Sequence, residues 1–268
     1  MIRLVALLPI AALTGAAAPR EPRIVSINPC VDAVLIQVAD PAQIAGISHY
    51  SQDPRATSIP IALANRFKAT SGTAEEVVAL APDIVLSGSH VSPATTMALK
   101  RMHIRLVQYP VPSTVGESEA QVRDIATIVG HPARGVALAA AIDIAARTAT
   151  GARVPALIWQ GGGLVPGSGT LADDLMTRAG FQNMSAAYGL KQWDVLPLEY
   201  LIARPPRVLL SVGVAETGTD RLTGHPAVAR LAKRITVAPY PSRLLNCGGP
   251  TIVAAMARLR TVRSEVRR

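Results

Sequence analysis

The sequence predicts an α/β fold: two α/β lobes with mainly parallel sheets joined by a long connecting helix. Three observations carry this. Short β-rich runs alternate with helical segments in both halves of the chain. Between them, an Ala-rich stretch from about 118 to 150 has helical spacing and no strand pattern. Finally, residues 75–87 can be laid on residues 199–211 without a gap. Each copy reads as an acidic residue, an apolar helix, a Pro stop and an apolar strand.

The elements follow in order. Residues 23–27 read as a buried strand, which Asn28-Pro29 stops. Residues 32–38 have the apolar spacing of a short helix, and 44–48 form a second strand. Residues 52–68 make an irregular connector with two Pro. A helix is predicted over 73–80, because Thr73 and Glu76 have capping-box spacing. Pro82-Asp83 ends it, and 84–87 is β-rich. Residues 95–102 are helical and 104–109 form a strand. In the middle, Gly130-His131-Pro132 must interrupt the helical stretch, since Pro breaks a helix interior but suits a first turn. One helix therefore runs to Val129 and a second starts at Pro132. The second half gives a strand over 154–159, helices over 171–179 and 198–203, and a strand over 207–212. A helix over 226–233, a strand over 235–237 and a final helix from Pro250-Thr251 to about Val262 complete it.

Composition narrows the function classes. The chain has 268 residues and is 49% hydrophobic, enough to build a core and to exclude disorder. Two Cys exclude a stapled mini-protein. Past residue 20 no apolar run is long enough to span a bilayer. Residues 1–18 read as a secretory signal peptide: Arg3 supplies the cationic start, 4–14 the apolar stretch, and cleavage fits after Ala17 or after Ala18. The formal charge of +9 is mostly Arg, with much of it in a basic C-terminal tail. Only 3% of residues are aromatic, so a nucleic-acid face with stacking rings is not expected. The expected organisation is a signal peptide at 1–18, an N-terminal lobe at 19–117, a helical connector at 118–151 and a C-terminal lobe at 152–268.

Enzyme signatures are missing: there is no G-x-S-x-G, H-E-x-x-H, C-x-x-C or P-loop. No nucleophile–base pair can be placed, and no resident cofactor or metal is expected. The two Cys leave three readings open. Cys30 and Cys247 form a disulfide in an oxidising compartment, or are buried thiols, or hold a soft metal with His49 or His90.

Taken in order, these segments resemble the periplasmic substrate-binding proteins of ABC importers for cobalamin, haem and ferric siderophores. Residues 23–30 resemble the family's first strand and ligand-facing loop, where Ser is usual at the Cys30 position. Residues 46–51 resemble the second strand and loop, 75–87 the helix that enters a strand through Pro-Asp, and 193–203 its partner in the second lobe. The resemblance covers nearly all of the chain beyond the signal peptide.

The resemblance implies a monomeric, non-catalytic, bilobed protein with a ligand cleft between lobes that move little. It implies that Glu75 and Glu199, one per lobe, dock the protein onto an ABC permease. By position it nominates Asn28, Pro29, Cys30, His49, Tyr50, Ser89 and His90 as lobe-one ligand contacts. Trp159, Gln160, Trp193, Asn246 and Cys247 are the lobe-two contacts. Departures are visible too: Ala69, Gly88 and Gln160 stand where relatives place rings that stack on corrin or porphyrin. The expected function is capture of a metal chelate, corrinoid or ferric-siderophore-like, in the periplasm. The competing expectation is a metal-binding sensor or chaperone that uses Cys30, Cys247 and His49.

Overall fold

A computed structural model describes residues 20–217, 230–231 and 233–266. The expected signal peptide and most of the helix expected over 226–233 lie outside the described residues. Among the described residues no helix is long and apolar enough to cross a membrane.

Lobe one is built on a five-stranded sheet of order β3-β2-β1-β4-β5, parallel throughout. Its strands are β1 (Ile24–Ser26), β2 (Ile44–Ser48), β3 (Ala69–Thr70), β4 (Ile84–Gly88) and β5 (Arg105–Tyr109). The helices are α1 (Pro29–Val38), α2 (Ile61–Ala64), α3 (Ala74–Ala79) and α4 (Pro93–Arg101). Helix α1 starts earlier than the apolar spacing indicated. The Asn28 carboxamide accepts from the Cys30 and Val31 N–H groups at 3.0 and 3.2 Å, and Pro29 fits the first turn. Thr73 caps α3 through the Glu76 N–H, at 3.4 Å. The Glu76 carboxylate reaches back to the Ser71 N–H, at 2.6 Å, and to the Thr70 hydroxyl, at 3.0 Å. The capping box is thus only half of the expected pattern.

The helical stretch divides at the expected break into α5 (Val115–Ile128) and α6 (Pro132–Ala145). These fold back on each other rather than forming one continuous rod. Gly135 permits the close approach, since a Cβ there would collide with the Ala126 side chain.

Lobe two repeats the plan with a parallel sheet of order β11-β10-β6-β8. These strands are β6 (Val154–Trp159), β8 (Phe181–Asn183), β10 (Val208–Ser211) and β11 (Thr236–Pro239). A separate antiparallel pair joins β7 (Leu164–Pro166) to β9 (Trp193–Val195). The helices are α7 (Leu171–Arg178), α8 (Met184–Ala187), α9 (Leu198–Ala203), α10 (Val212–Thr217) and α11 (Thr251–Glu265). The sequence repeat is structural: α3 leads into β4 as α9 leads into β10, and each of those strands pairs in parallel with its lobe's first strand.

Strand alternation sorts the core. On β1, β4, β6 and β10, residues Ile24, Leu86, Ile158 and Leu210 face one continuous core that also takes in α1, α5, α6 and α11. Their neighbours face outward into smaller clusters, Val25 and Val85 in lobe one, Leu157 and Leu209 in lobe two. This core is shared between the lobes.

Candidate functional site

A cavity of about 370 Å³ lies between the lobes, within the usual size range of ligand sites. Its position follows from topology. The strand order of lobe one reverses at β1, and the segments after β1 and β4 meet there at the carboxyl ends of the strands. Asn28 and Cys30 come from the first segment, Gly88, Ser89 and His90 from the second. Tyr109 and residues 110–113 follow β5, and Gln121 lies on α5. Lobe two closes the opposite side with Gly169, Thr170, Gln192 and Trp193, and with the segment Leu245–Gly249.

That last segment is threaded tightly. A Cβ on Gly248 would meet the Ser118 hydroxyl at 2.6 Å, and one on Gly249 would meet Val34 at 2.7 Å. Gly249 also holds φ +59°, and its N–H donates to Ser118 Oγ at 2.7 Å. Cys247 is thereby brought to Cys30 with a Cα separation of 5.0 Å, and the two form a disulfide.

Seven of the twelve nominated contacts line the cavity: Asn28, Cys30, Ser89, His90, Trp193, Asn246 and Cys247. Five do not. Pro29 sits in the first turn of α1 beside the site. His49 and Tyr50 follow β2, on the far side of β1 from β4. There the His49 ring packs on Tyr50 with centroids 4.0 Å apart, and Nδ1 lies 3.2 Å from the Thr70 carbonyl. Trp159 is an outward residue of β6, only 5% exposed, and packs with Val165 and Leu196 in the outer cluster of lobe two. Gln160 donates its backbone N–H to the Leu164 carbonyl at 2.9 Å. The metal-sensor reading loses its donors, because both sulfurs are bonded to each other and His49 lies off the wall.

Several wall residues lie outside the sequence expectation. Tyr109 ends β5 and donates its phenol proton to Asp124 at 2.7 Å. Burial and this carboxylate push its phenol well above the ordinary value. Gln121 and Gln192 carry no sequence signal; only the tertiary fold brings them here. A second cavity, of about 160 Å³, lies elsewhere and includes Arg243 and Ser58.

The comparisons agree with this architecture. A family model described as "Periplasmic binding protein" matches residues 24–233. The chain belongs to the periplasmic binding protein family. Among solved structures, this periplasmic binding protein is similar to the haem-binding protein HutB of Vibrio cholerae. The TM-score is 0.73 at 18% identity, covering 90% of this chain and 98% of that one. It is similar to the vitamin B12-binding protein BtuF of Vibrio cholerae, with TM-score 0.70 at 14% identity, covering 92% and 98%. A haem-binding protein BhuT, solved with two haems, gives 0.71 at 21% identity, covering 91% and 98%. At these identities the likeness is one of fold. No curated protein matches this periplasmic binding protein in sequence.

Proposed function

We propose that the protein is the solute-binding component of an importer. In this reading it is exported, captures a metal chelate in the cavity between its lobes and delivers it to an ABC permease. Corrinoids and ferric siderophores are the leading ligand classes, and haem joins them because similar folds bind it. The observation that carries the reading is the cavity itself, placed where the strand ends of lobe one meet lobe two. No catalytic step is invoked, and the shared core favours capture with little lobe movement.

Glu75 and Glu199 support the delivery step. Both are exposed, and each stands in the first turn of the matching helix of its lobe, α3 and α9. Carboxylates there are also favoured by the helix dipole. We assign them to permease docking through charge pairing. Replacing both by Ala should leave ligand affinity unchanged and abolish chelate uptake by cells that depend on this protein. Unchanged uptake would sink the docking role.

A further inference from the structure

Resting on the importer reading, we infer that the cleft selects an uncharged chelate bearing N–H donors, such as a carboxamide-fringed ring, and rejects chelates that carry carboxylates. The charge distribution is the first argument. The chain has 27 Lys and Arg and a net charge of +9, yet no Lys, Arg, Asp or Glu stands on the cavity wall among the described residues. Arg243, the cation nearest in sequence to the Asn246-Cys247 wall, lines the other cavity. Behind the wall Tyr109 donates to the Asp124 carboxylate, of the wrong sign for an anionic ligand, and the one cation that also acts on this phenol, Arg105, is on β5 and not on the wall. The ionisable side chains on the wall among the described residues are His90 and Tyr109, so a ligand carboxylate buried here would lose its hydration without gaining a Lys or Arg partner there.

The second argument is the orientation of three carboxamides. Gln121 donates its side-chain amide to the Pro110 carbonyl at 2.8 Å, Gln192 to Gly169 at 3.2 Å, and Asn246 to Ala56 at 3.3 Å. Each NH2 spends one of its two hydrogens on a backbone carbonyl, and among the described residues no donor reaches the side-chain oxygens, which remain as acceptors; the fourth wall carboxamide, Asn28, is turned the other way, its oxygen taken by the Cys30 and Val31 N–H groups. These acceptors come from α5 on one side and, on the lobe-two side, from the turn before β9 and the segment before α11. Acceptors on both facing sides match a ligand that presents N–H groups around its rim.

The test uses matched probes that differ in charge. The mature, oxidised protein is titrated with dicyanocobinamide and with the corresponding heptacarboxylate, the same ring with acids in place of amides. Ferrichrome and ferric citrate form the second pair, and haem is measured alone. The expected result is that an amide probe binds roughly 100-fold tighter than its carboxylate partner. Gln192→Arg should narrow that ratio by admitting the acid form. If haem or a carboxylate probe binds as tightly as the amide probes, the charge selectivity is overturned while the importer reading stands. If no probe binds, both fall.

Discussion

Cys30 and Cys247 are bonded across a sequence separation of 217 residues, and both line the interlobe cavity. One stands in the first turn of α1, the other just before α11. The bridge therefore joins the start of lobe one to the end of lobe two at the wall that meets ligand.

The bond contributes to stability by restricting the unfolded chain, typically by about 2–4 kcal/mol. Cys30→Ser should lower unfolding stability by that amount in denaturant titrations. Because the same bond holds the Asn246-Cys247 wall in place, ligand affinity should also fall. A variant with unchanged stability and affinity would show the bridge to be incidental.

The two Trp residues should separate cleanly. Trp193 is 39% exposed on the cavity wall, whereas Trp159 is packed in the outer cluster of lobe two. Trp193→Ala should weaken ligand binding by about tenfold with little loss of stability. Trp159→Ala should cost about 3–5 kcal/mol of stability. Calorimetric titration and chemical denaturation of both variants check this; the reverse pattern would contradict the assignment.

Asp32 predicts a pH dependence. Its carboxyl is fully buried on α1, accepting from the Ser51 hydroxyl at 2.6 Å and the Ser48 N–H at 2.9 Å, with the Ser26 side chain also beside it. Burial pushes its pKa up to about 7 against those hydrogen bonds. The folded protein thus holds this proton more tightly than the unfolded chain does. Stability from this group is full below about pH 4 and is lost as pH rises to about 7. Thermal melting should occur about 5 °C or more higher at pH 5 than at pH 8, and Asp32→Asn should remove most of that difference. An equal difference in the variant would place the titrating group elsewhere.

Much of the fold is legible in the sequence because its central strands are buried apolar runs. The Gly130-His131-Pro132 break is legible because Pro and Gly act locally. Strands β3, β7, β8 and β9 escape because each is short and, unlike the equally short and fully buried β1, carries an exposed or half-buried residue, β9 throughout. The site is legible where it follows strand ends at the topological switch, as with Asn28, Ser89 and His90. His49 and Tyr50 also follow a strand end, but β2 lies on the wrong side of β1. Trp159, which the resemblance nominates, lies off the wall for a different reason. The alternation of β6 already assigns it to the same outward face as Leu157. Gln121 and Gln192 had no local signal, since the lobes must pack before their positions acquire meaning.

The decisive measurement is a tryptophan-fluorescence titration of the mature oxidised protein with cobalamin, cobinamide, haem and ferric siderophores, repeated on Trp193→Ala by calorimetry. Saturable one-to-one binding at micromolar or tighter affinity, weakened in the variant, is the predicted result. A folded protein that binds none of these chelates would contradict the capture of a metal chelate between the lobes.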